Sequence, residues 1–166
     1  MNLLDPHSRA AHRMGWTLLA LFLLGGLTLE FLHLIKAPWY FDVRIRRELW
    51  TLAHAHGALL AVLNILFSYS AMHCLPQEPL RQRASRMIRW GALLVPLGFF
   101  LGGIGNSETD PSLLIVLTPV GALMVLFAVL AMVKGAWSRP ELAVPPGHIP
   151  DKAVKPGIKG GAKGRI

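Results

Sequence analysis

Apolar residues in this chain fall into long runs rather than short periodic ones. Four stretches stand out, at roughly 15–35, 52–72, 88–105 and 113–134, with polar and charged residues collected between them. A hydrocarbon core of ~30 Å takes ~20 mostly apolar residues at ~1.5 Å each, and every stretch reaches about that length. The links are short, so each helix must turn back beside the one before it. The pattern predicts an all-α fold: an integral membrane, antiparallel four-helix transmembrane bundle within residues 15–137. A polar leader at 1–14 precedes it and a disordered basic tail at 138–166 follows.

The first stretch is too long for the apolar region of a signal peptide, and no small-x-small cleavage site follows it. It ends in Lys36 and the Trp39–Tyr40 pair, which read as an interfacial anchor. The first outer link, 36–50, also carries Phe41 and Trp50 and suits a helix lying on the membrane. Asp110-Pro111-Ser112 reads as a helix start, with Asp110 capping and Pro111 in the first turn. Beyond Pro140 the chain is rich in Pro, Gly and Lys without apolar period, the composition of a disordered segment. The third stretch carries Gly91, Pro96, Gly98, Gly102, Gly103 and Gly105, and the fourth carries Thr118, Pro119 and Gly121. Small residues of this kind serve tight helix packing in lipid, or the close approach of a flat ligand.

Composition sharpens the membrane reading. Hydrophobic residues make up 53% of the 166 residues and charged ones only 16%, well under the ~25% of soluble domains. The net charge of +8 would suit nucleic acid, but its placement argues against that partner. Arg9 and Arg13 precede the first stretch. Arg81, Arg83, Arg86 and Arg89 lie between the second and third, and seven basic residues from Lys134 to Arg165 follow the fourth. Thirteen of the 17 basic residues therefore lie on one side, the side that stays cytoplasmic. Both termini are expected inside, facing anionic inner-leaflet lipid. Arg44, Arg46 and Arg47 dissent, partly offset by Asp42 and Glu48, while the 106–112 link carries only Glu108 and Asp110. The single cysteine, Cys74, excludes an intrachain disulfide and a cysteine-based zinc site.

Ionisable groups inside a span are costly, ~2.5–3.5 kcal/mol for a central charge, and so invite functional hypotheses. Glu30 and His33 lie three apart on one face of the first span, with Gly26. His54 and His56 open the second span just after Trp50. Antiparallel neighbours place Glu30, His33, His54 and His56 in one layer near the outer leaflet, with Asn64 deeper. Residues two apart on a helix point ~200° from each other, so His54 and His56 cannot both face one central metal. His54 has Gly57, Ala58 and Ala61 on its own face, a smooth strip on which a planar macrocycle could lie with its iron on the imidazole. The layer also suits hydrogen-bonding glue between helices, or a Glu/His site for zinc, copper or non-haem iron.

The segment Trp50-Thr51-Leu52-Ala53-His54-Ala55-His56-Gly57 resembles the styrene oxide isomerase and hydroxylaminobenzene mutase group. Those are small bacterial four-span proteins with an Ala-His motif at the start of the second span, and in mutase-like members a glycine follows the histidine by three positions. The run from Leu117-Thr118-Pro119-Val120-Gly121 to Met132 is similar in texture. The resemblance implies a bacterial inner-membrane homo-oligomer, a trimer, binding haem b with His54 as axial ligand. His56, Glu30, His33 and Gly57 are then the residues around it. It implies an isomerase acting on a small lipophilic substrate, whose epoxide oxygen is polarised by ferric iron. Leu60 stands where that group has an asparagine, and Gly91–Gly105 offers no Asp or Tyr, so His54 alone carries over. Two other functions fit the residues: a non-enzymatic membrane subunit or redox partner, and a metal-handling or transport protein.

Overall fold

The computed structural model describes residues 4–105 and 110–138. The tail expected at 138–166 lies outside the described residues except for Ser138, as does most of the 106–112 link. The described chain holds α1 (Pro6–Leu34), a one-turn α2 (Pro38–Phe41), α3 (Arg44–Cys74) and α4 (Glu78–Gly102). A 3-10 turn at Leu113–Val116 then leads into α5 (Leu117–Trp137). Four helices are long and apolar enough to cross a membrane, and they pack as antiparallel pairs. α1 lies along α3, α3 along α4, and α4 along α5, while α4 also touches α1 and α5 touches α3. No comparable packing joins α1 to α5.

Burial is inverted relative to a water-soluble protein. Outward faces carry Leu24, Leu27, Leu123 and Leu130, each more than half exposed, whereas Ser8, Asn64, Ser68 and Ser85 are fully buried. Such a surface suits acyl chains. The interior is built from small residues: Ala11, Ala71, Ala84 and Ala128 around Phe67 and Ile88, then Ala61 and Ala92 with Leu18, Leu60 and Val95. Lipid offers no hydrophobic drive between helices, so close packing of small side chains and interhelical hydrogen bonds hold them together.

The α4–α5 seam shows this most clearly. A Cβ on Gly91 would stand 2.7 Å from the Gly121 carbonyl oxygen, and one on Gly121 2.8 Å from the Val95 nitrogen. The Thr118 hydroxyl donates to the Val95 carbonyl at 3.3 Å, inside this contact. Here the glycine-rich face is closed by the neighbouring helix, with backbone against backbone, which leaves a flat ligand no room.

α1, α3 and α4 are longer than their apolar stretches, while α5 starts inside the fourth and runs past its end. α3, at 31 residues, spans ~46 Å against a core of ~30 Å. The leader expected at 1–14 is helical from Pro6 because Asp5 caps α1, accepting from the His7 and Ser8 amides. Arg81 pairs with Asp5 at 3.2 Å and donates to the Leu75 carbonyl at the end of α3. Ser85 donates to the His7 carbonyl at 2.8 Å. These contacts make a basic end, where Arg9, Arg13, Arg83, Arg86, Arg89 and Lys134 also lie.

The opposite, aromatic end holds α2, the end of α4 and the 3-10 turn. The surface helix expected over 36–50 shrinks to the single turn of α2, since α3 already begins at Arg44. Trp50 stacks between Tyr40 (5.8 Å) and Phe100 (4.9 Å) and donates to the Phe100 carbonyl. Asp110 is not the cap expected there. Ser112 takes that position, its amide held by the Gly102 carbonyl and its hydroxyl by that of Leu101, which leaves Pro111 outside the helical turn.

Candidate functional site

His54 sits one side of α3, facing α1. Its Nδ1 lies 2.8 Å from the Phe22 carbonyl oxygen. A carbonyl can only accept, so Nδ1 donates this bond and Nε2 is the other ring nitrogen. The imidazole fits the notch left by Gly26, where a Cβ would come within 2.8 Å of Nε2. Reciprocally, the Phe22 ring fills the space at Gly57, 2.5 Å from where a Cβ would be. Two side chains, each set into the other helix's glycine, interlock the α1–α3 seam. The strip Gly57–Ala58–Ala61 is consequently no open surface for a macrocycle: α1 covers it, and Ala61 is fully buried.

Above this interlock the seam opens. A groove of ≈ 480 Å³ is lined by Leu23, Gly26, Leu27 and Leu29 with Glu30, His33, Thr51 and His54. That volume falls within the ~300–1,000 Å³ usual for small-molecule and cofactor sites. Glu30 has no hydrogen-bond or ion-pair partner among the described residues. His33 donates Nδ1–H to the Leu29 carbonyl at 3.0 Å, and its ring meets that of Tyr40 edge-on at 5.2 Å. Tyr40 is fully buried. Burial raises its phenol above the ordinary 10.0, outweighing the Thr51 bond and the nearby Arg47 charge, so it stays protonated.

The structure thus brings Glu30, His33 and His54 to one groove and sets Gly57 beneath it under Phe22. His56 is turned away. Its Nδ1 bonds the Leu52 carbonyl at 2.9 Å and its ring tilts against Phe99 of α4 at 5.0 Å. Asn64 is deeper, bonded to the Leu60 carbonyl at 2.9 Å. Among the described residues no three His, Cys, Asp or Glu side chains gather closely enough to hold a metal ion. A cofactor with one protein ligand asks less: a single imidazole whose other nitrogen is held by a backbone carbonyl, and His54 has that form.

Sequence reasoning passed over Thr51 as a groove residue, Tyr40 as the ring beside His33, and Phe22 altogether. Thr51 lies three residues before His54, hence on its face, a signal that helix periodicity contained. The Phe22 contribution is a backbone oxygen, for which side-chain identity gives no sign. No family model, curated protein or solved structure matches this chain.

Proposed function

We propose that this chain is a four-span membrane protein that binds haem b in the α1–α3 groove, where His54 would hold its iron. The observation that carries this reading is the His54–Phe22 bond, which commits Nδ1 to a backbone carbonyl and leaves Nε2 as the ring nitrogen a ligand could use, beside an apolar groove. Bound there, haem supplies a Lewis-acidic iron. Leu23, Leu27 and Leu29 bind the apolar body of a small substrate arriving through the bilayer, and Glu30 and His33 provide the polar wall. The enzyme reading is an isomerase, and the assembly a homo-oligomer, a trimer, in a bacterial inner membrane. The test is an absorption spectrum of the detergent-purified protein. A Soret band abolished by His54→Ala and retained by His33→Ala is the expected result, and a colourless preparation after expression with ample haem overturns it.

A second reading draws on the same bond. His54 set into Gly26 also works as helix glue, and unpartnered Glu30 then meets a donor on another protein. In that case the chain is a non-enzymatic subunit, and Glu30→Leu abolishes co-purification of a larger complex while leaving the isolated fold intact.

The basic end supports an orientation with both termini inside, and Cys74 offers the test. It is the chain's single cysteine and closes α3 at that end. A membrane-impermeant maleimide labels it in inverted vesicles and not in intact cells if the orientation holds. The reverse pattern overturns it.

A further inference from the structure

Beside the His54 groove, a second opening of ≈ 430 Å³ is lined by Arg47, Glu48, Thr51 and Leu52. The two share Thr51. Arg47, Thr51 and His54 stand at positions i, i+4 and i+7 of α3, so they form one stripe along one face. Seven residues of helix separate Arg47 from His54 by ~10 Å, about the reach of a haem from its iron to its carboxylates.

The three arginines at this end differ in what occupies them. Arg44 is paired with Glu48 at 2.7 Å. Arg46 donates to the Gly103 carbonyl, which closes α4, and to the Trp39 carbonyl. Arg47 has neither kind of partner among the described residues. Its guanidinium lies over the Phe41 ring, 4.8 Å from the centroid. Such stacking uses the flat face of the group and leaves its N–H edge available. Glu48 also lines the opening, but its charge is already taken up by Arg44. Apolar wall, imidazole and guanidinium together define a direction.

We propose that Arg47 anchors the anionic end of the groove's ligand, so that haem would be held with its propionates toward Arg47. This rests on the haem reading above and adds the ligand's orientation and the residue that sets it. The chemistry recognised is a carboxylate on an amphipathic body, which a fatty acid also carries.

The experiment titrates haem-free, detergent-purified protein with haem b and with its dimethyl ester, following the Soret band. One charge-assisted bond contributes about tenfold in affinity. Wild type is expected to prefer haem b by about that factor. Arg47→Gln erases the preference without changing affinity for the ester, and Arg47→Lys keeps part of it. Equal affinities in wild type, with a Soret band that His54→Ala still abolishes, overturn the Arg47 assignment and leave the haem reading standing. No Soret band with either compound overturns both. A spin-labelled fatty acid that binds wild type but not Arg47→Gln, alongside equal affinities for the two haems, gives the guanidinium to a lipid carboxylate and also overturns it.

Discussion

Two seams of this molecule are lined with glycine and end up doing opposite things. Between α4 and α5, Gly91 and Gly121 let backbones meet, and each missing Cβ would strike main-chain atoms. Between α1 and α3, Gly26 and Gly57 each receive a side chain from across the seam, the His54 imidazole and the Phe22 ring. The first seam is shut along its length. The second is held apart by the rings it swallows, and the space beside them becomes the groove. Glycine in a membrane helix therefore marks either the closest packing or the one place where something larger enters, and the occupant decides which.

The contrast can be broken most severely at Gly121. Backbone cannot retreat as a side-chain tip can, so Gly121→Leu is expected to cost ~3 kcal/mol or more in a denaturant titration in mild detergent. Should its stability match wild type, the backbone contact is not what shuts the seam. Gly26→Ala is expected to cost less, ~1–2 kcal/mol, because the imidazole can swing out. His54→Ala empties the same notch, so the double variant should be about as stable as His54→Ala alone, a coupling of ~1 kcal/mol in a double-mutant cycle. Additive losses would mean the two residues do not share the space.

Smaller effects separate the seams further. Asp5 fastens the first turn of α1, and replacing it with alanine removes a helix cap, for ~1 kcal/mol. Burial pushes the Asp5 carboxyl up, but the bonds from Ser8 and His7 and the Arg81 charge outweigh it and hold the group below its ordinary 3.8. A carboxyl with a lowered folded value contributes stability above its unfolded value and loses it as pH falls through the folded one. Acid below about pH 4 should therefore raise hydrogen exchange in the first turns of α1 before it does so in α5. Equal onset in both would contradict that. Thr118→Val, which deletes the hydroxyl bonded to Val95, is expected to cost the least, ~0.6 kcal/mol.

The four spans were legible because an apolar run of this length has few alternatives. The helix ends were not. Residues 6–14, 44–51 and 78–87 are charged; Asp5 caps the first of these locally, while the other two meet partners elsewhere, Gly103 for Arg46 and the His7 carbonyl for Ser85. The dissenting arginines find their reason in the same way, as Arg46 sits at the negative end of α4 and Arg44 beside Glu48. Shared depth pointed to Glu30, His33 and His54, which line one groove. Facing was harder. The ~200° between His54 and His56 was readable, but not that Phe99 would receive His56 or that a backbone oxygen would fix His54.

The tie from Asp5 through Arg81 to the α3–α4 turn spans most of the described chain, with Ser85 reaching back 78 residues to His7. A nascent polypeptide leaving the ribosome lacks this clasp until α4 has emerged. Any product that stops short of Arg81 carries a carboxylate without its counter-ion and helix-terminal carbonyls without their donor. The knot at the basic end thus works as a completeness check, fastening the start of the chain only after its third crossing has been made.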